Sequence, residues 1–133
     1  MVHTDLDTRE TLEKIIRTHP FWKGLDPVYF HILETCETGL TWGLGQPVFQ
    51  ADSDAKNFYL IHQGSVSRET FFTLQTIGAG QALGWSWFFP PYRWHFSARS
   101  HAVTEAVAFE AKALRGYGEE NHNFGYELTR RLG

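Results

Sequence analysis

The chain has 133 residues, of which 42% are hydrophobic and 20% charged, and its formal net charge is -3. That length fits one domain, able to bury roughly 65–70% of its unfolded surface without a staple, and the acidic balance argues against nucleic acid as the main partner. The lone Cys36 excludes an internal disulfide and suits a reducing cytoplasm, the polar N-terminus does not read as a signal peptide, and no run approaches the ~18–20 apolar residues of a membrane helix.

In chain order, residues 4–18 are predicted to form a helix, with Thr4 or Asp5 as its N-cap. Leu12, Ile15 and Ile16 make its apolar stripe, and Pro20 ends it. His19 to Gly24 reads as a hydrophobic turn. Asp26-Pro27 then starts a short second helix running to about Thr35.

From Glu37 the texture changes to short apolar runs punctuated by glycines, the pattern of an all-β segment. Strands are predicted at 38–43, 46–50, 57–62, 65–70, 72–77, 82–85, 94–100 and 103–110, which together suggest a two-sheet roll. The join at Arg68-Glu-Thr-Phe-Phe-Thr73 should be a hairpin, yet it lacks Gly, Asn, Asp or Pro for a tight turn. Helical texture resumes with a turn or two from Ala111, stopped near Gly116 and Gly118. A last helix follows from Glu119 to Leu132, with Phe124, Leu128 and Leu132 on one stripe. That stripe either packs on the roll or pairs with a second copy.

One stretch stands apart. Seven of the twelve residues from Trp85 to Phe96 are aromatic, and Pro90-Pro91 interrupts them. So much aromatic surface belongs to a core, a pocket or an interface.

At this point the residues resemble a family. Gly45-Gln-Pro-Val-Phe49-Gln-Ala-Asp52-Ser-Asp-Ala55-Lys-Asn-Phe58-Tyr-Leu-Ile61-His-Gln-Gly64-Ser-Val66 resembles the first half of the cyclic nucleotide-binding domain, the sensory β roll of catabolite-activator and FNR-type regulators. His19-Pro-Phe-Trp-Lys-Gly-Leu25 is similar to its entry segment, and Ile77-Gly-Ala-Gly80-Gln-Ala-Leu-Gly84 to the lead into its phosphate-binding cassette. The resemblance implies a mainly β, jelly-roll-like fold in a single domain, 1–133: N-terminal helices at 1–36, the roll at 37–110 and C-terminal helices at 111–133.

It also implies a binding chemistry that these residues do not reproduce. The family places Gly-Glu after a short strand, the glutamate accepting from the ribose, and then an Arg followed by Ser/Thr-Ala to hold the cyclic phosphate. Laid on this sequence without gaps, Gly84 matches the glycine. Trp85 stands in place of the glutamate, Trp94 in place of the arginine, and His95-Phe96 in place of Ser/Thr-Ala. Strand alternation puts Trp94, Phe96, Ala98 and Ser100 on one face, which by the resemblance points inward, where Trp94 would fill the phosphate space. Arg93 and Arg99 lie on the other face.

The expected function is that of a non-catalytic, cytoplasmic, bacterial-type regulatory module that is not a standard cAMP or cGMP binder. If a small ligand binds, Gly84, Trp85, Ser86, Arg93, Trp94 and His95 should surround it. One alternative is cyclic nucleotide binding through Arg93 and backbone amides, and another is a homodimerising scaffold. No cofactor and no metal site are expected: His95 and His101 share strand parity, but nothing completes a ligand set. No Gly-x-Ser-x-Gly or P-loop motif suggests an enzyme. Gly78, Gly80 and Gly84 are read as turn residues rather than a dinucleotide fingerprint. No DNA-binding domain is expected in this chain.

Overall fold

The computed structural model describes residues 9–70 and 72–132, so the predicted caps Thr4 and Asp5 lie outside the described residues. Helix α1 (Arg9–Thr18) carries Leu12, Ile15 and Ile16 into the core. A 3-10 turn, Pro20–Trp22, follows, capped by the His19 side chain. A second, Pro27–Tyr29, opens as the sequence suggests, with the Asp26 carboxylate accepting from Val28 N–H at 3.1 Å. It runs directly into α2 (Phe30–Glu34).

The roll comprises β1 (Glu37–Trp42), β2 (Pro47–Phe49), β3 (Asn57–Gln63), β4 (Ser65–Glu69), β5 (Leu74–Gly78), β6 (Ser97–Ser100) and β7 (Thr104–Glu110). The strands form two antiparallel sheets, ordered β1-β7-β3 and β2-β6-β4-β5. Two predicted strands need correction. Residues 82–85 do not form one: Ala82 makes a single bridge to Leu60, and Gly84, at φ +75, turns the chain away. The strand expected from 94 begins at Ser97, because Arg93 pairs with Asp54 instead. The hairpin without a conventional turn residue is closed by Thr70. Its hydroxyl accepts from Thr73 N–H at 3.0 Å and lies 2.6 Å from the Thr73 hydroxyl.

After β7, helix α3 (Ala111–Glu120) runs through Gly116 and Gly118 rather than stopping there. Asn121 breaks the chain, and α4 (His122–Leu132) begins three residues later than predicted, with Asn121 Oδ1 accepting from Phe124 N–H at 3.1 Å. Phe124 and Leu128 are fully buried, so the stripe of α4 packs inward. Arg131 ties α4 to the first 3-10 turn by donating to Phe21 O and Lys23 O, both at 2.9 Å. Among the described residues no helix is long and apolar enough to cross a membrane.

Alternation along β3 predicts one buried face, but Phe58 through Ile61 are all buried. The reason is that this sheet is covered on both sides. On its outer side Phe58 and Phe109 meet Trp22 from the entry turn, and Phe58 also meets Phe21. On its inner side Tyr59 packs with Trp42 of β1 and Phe49 of the facing sheet.

His19 joins the entry turn to β3. Its Nε2 donates to Ile61 O at 2.9 Å, and its Nδ1 accepts from Phe21 N–H at 3.1 Å. Only the neutral ring satisfies both bonds. Burial, the larger influence, and the nearby His62 push its pKa below the ordinary value, against the opposing pull of the Ile61 carbonyl. The unfolded chain therefore takes up this proton first as pH falls. The stabilisation is complete above about pH 6.5 and is lost below it, toward the lowered folded value. Urea unfolding is expected to show lower stability at pH 5.5 than at pH 7.5, with a shallower dependence in His19→Gln. Equal dependences in the two proteins would contradict this role.

Candidate functional site

Residues 84–96 cross from the Ala82 bridge toward β6 as a chain of turns. Phe88 N–H donates to Trp85 O at 2.9 Å, and Tyr92 N–H to Phe89 O at 2.9 Å. The Pro90–Pro91 bond is cis and Tyr92 has φ +59. The segment is then sewn to the β2–β3 loop: Ala55 N–H donates to Tyr92 O, Trp94 N–H to Ser53 O and Asp52 N–H to Trp94 O, at 2.8–3.0 Å.

This path sends the three tryptophans to three places. Trp87 enters the outer cluster, fully buried, and stacks on Phe58 with ring centroids 4.8 Å apart. Its indole N–H is buried without an acceptor, so the packing offsets a desolvation cost of about 1–3 kcal/mol. Trp94, 1% exposed, enters the space between the sheets. There it lies parallel to Phe49, with centroids 3.8 Å apart and planes 5° apart. Tyr59 stacks beyond at 6.4 Å, and Phe96 meets Trp94 edge-on at 5.7 Å. Trp85 turns outward, 48% exposed, against Phe89 and His95.

The predicted site residues thus divide. Gly84 belongs with Trp94: a Cβ there would sit 3.1 Å from the Trp94 ring and 3.0 Å from Phe96, at a backbone angle that already favours glycine. Ser86 is buried, whereas His95 faces solvent. Arg93 is exposed, and its guanidinium is already engaged, donating to Asp54 Oδ1 at 3.1 Å and to the Asp52 carbonyl. Arg93 and Trp94 do share a surface cleft of about 490 Å3, with Phe49, Asp54, Lys56 and Tyr59. Gly84, Trp85, Ser86 and His95 are not among the residues lining it. Of the three glycines read as turn residues, Gly80 and Gly84 have positive φ and Gly78 does not.

Three contributors escaped the sequence reading. Phe49 and Tyr59 complete the inner stack. Arg115 of α3 lies 4.0 Å over the Tyr92 ring and donates to Trp87 O at 2.6 Å, fastening α3 to the crossing segment. Its part depends on how α3 docks, which leaves no local trace in sequence.

No described cluster of three or more His, Cys, Asp or Glu is arranged to hold a metal ion. Cys36 is half-buried. Burial, Glu110 and Glu37 push its thiol up to about 12, so it is protonated and unreactive near neutral pH. Burial also raises the Tyr59 phenol, which stays neutral in the stack.

No family model matches the sequence, and no curated protein matches it. Solved structures do. A Geobacter metallireducens protein named for cyclic nucleotide binding superposes with TM-score 0.85 at 22% identity, over 90% of this chain and 91% of that one. The sensor domain of the transcriptional regulator DNR from Pseudomonas aeruginosa gives 0.76 at 16%, over 93% and 87%. The regulatory subunit of a cAMP-independent protein kinase A from Trypanosoma brucei gives 0.72 at 16%, over 92% and 49%. The chain has the β-roll fold of cyclic nucleotide-binding domains, with its helices before and after the roll.

Proposed function

We propose that this protein is a non-catalytic regulatory module whose nucleotide position is occupied by its own side chains. It works in the cytoplasm, the compartment suited to a lone thiol, and answers to a signal other than cAMP or cGMP. The observation that carries this reading is the stack of Trp94 on Phe49 between the sheets. By the resemblance, an arginine at position 94 would pair the cyclic phosphate there. An indole supplies no cation, and its volume lies where the phosphate would be. A phosphate desolvated in that space would lack its partner, at a cost of about 2–5 kcal/mol.

Arg93 does not repair the loss. To reach inward it would have to leave the Asp54 carboxylate and the Asp52 carbonyl, and its backbone sits in the pairing that holds the crossing segment in place. The Trypanosoma brucei structure is described as cAMP-independent, which supports the view that this fold can serve regulation without cAMP.

Calorimetry with cAMP and cGMP tests the reading. No saturable heat is expected up to about 1 mM, the level at which binding free energy falls to about -4 kcal/mol. Submillimolar binding that disappears in Arg93→Ala would sink it.

A further inference from the structure

Outside the roll, a cleft of about 410 Å3 opens between the crossing segment and the C-terminal helices. Its walls include the aromatic rings of Phe88, Tyr92 and Tyr126, and Arg115 and Thr129 bring polar groups to it. Beside it α3 and α4 approach closely at Gly118 and Gly125. A Cβ on Gly125 would lie 2.6 Å from Gly118 O, and one on Gly118 would lie 3.4 Å from Gly125 Cα. Both glycines also line the cleft, so its floor is bare backbone flanked by rings.

Arg115 is the unusual member. It is partly buried, and it engages a carbonyl and a ring: Trp87 O at 2.6 Å and Tyr92 at 4.0 Å. Among the described residues no carboxylate pairs with it. Stacking on Tyr92 fixes the guanidinium plane, and one nitrogen serves Trp87. The guanidinium keeps further N–H groups, and its fork geometry suits a planar carboxylate. Glu119, one helical turn further on, also borders the cleft, but it is exposed and screened by solvent.

We propose that this cleft binds a small aromatic carboxylate, with the acid on Arg115 and the ring system between Tyr92 and Tyr126. The volume suits one or two fused rings and lies within the usual range for small-molecule sites. The site is separate from the interior stack and stands whether or not a nucleotide enters the roll.

The test is calorimetric titration of the whole protein with 2-naphthoate and its uncharged isostere 2-naphthamide. Submillimolar binding of 2-naphthoate is expected, weakened about tenfold or more for 2-naphthamide and in Arg115→Met. Arg115 also fastens α3, so Tyr126→Ala provides a second variant, at a side chain 64% exposed. It too should weaken binding, with an unchanged melting temperature. Equal affinity for the two probes, undiminished binding in both variants, or no binding at 1 mM would overturn the proposal. So would 2-naphthoate affinity that falls with protein concentration, the mark of a second copy seated in the cleft.

Discussion

Trp94→Ala is expected to destabilise the protein by about 3–5 kcal/mol, the range for removing a large aromatic side chain from a packed core. That is a large part of the ~5–15 kcal/mol that holds a domain together. The indole is 1% exposed and meets Phe49, Tyr59 and Phe96. Those rings are held by β2, β3 and the lead into β6, and so cannot collapse together without moving both sheets. Trp85→Ala is the matched control. The resemblance sets Trp85 beside Trp94 as a replaced ligand contact, yet Trp85 is 48% exposed. Its removal is expected to cost within about 0.5 kcal/mol, like other surface changes. Chemical unfolding of the two variants decides the matter. Equal small losses would mean that Trp94 does not fill the interior.

Gly64→Ala is expected to cost about 2–5 kcal/mol, summing left-handed backbone strain with overpacking. Gly64 forms the turn between β3 and β4 at φ +87. A Cβ there would lie 2.7 Å from both Thr104 Cα and Thr104 Oγ1, and would also meet the Val103 carbonyl. Neither neighbour can yield. Thr104 is fully buried, its hydroxyl lies 2.9 Å from Ser65 O and from Ala102 O, and it accepts Ser65 N–H at 3.2 Å. Gly45→Ala isolates the backbone term, because Gly45 has φ +78 with nothing within 4 Å of an added Cβ. It should cost only about 1–2 kcal/mol. Unfolding curves that coincide for the two variants would contradict the crowding at Gly64.

The roll was legible in the sequence wherever a local rule matched the tertiary outcome. Asp26-Pro27 does start a helical turn, and the alternating burial of Trp94, Phe96, Ala98 and Ser100 holds through the whole run. It holds although strand pairing begins only at Ser97, because interior packing fixes the side-chain direction before the ladder forms. The misreadings have physical causes. Ala82-Leu83-Gly84 has the composition of a strand end, but Gly84 at φ +75 leaves the ladder after one bridge. Gly116 and Gly118 look like helix stops, yet α3 continues through them. Close packing of Gly118 on Gly125 outweighs a propensity cost of about 1 kcal/mol per glycine.

The site was half legible. The inward face of Trp94 could be read from strand alternation. The outward turn of Trp85 could not. It depends on the turn closed by Phe88 N–H on Trp85 O, which sends Trp85 and Trp87 apart although their spacing suits a shared strand face. Arg115 lay beyond reach for a different reason: its partners, Tyr92 and Trp87, are non-local and are set by the docking of α3.

The most direct measurement is a crystal structure of the protein grown with millimolar cAMP. The expected result is an interior without nucleotide, with Trp94 parallel to Phe49 at about the 3.8 Å seen here. A nucleotide between the sheets, with Trp94 swung out and Arg93 released from Asp54 onto the phosphate, would contradict the claim that the protein fills its own site.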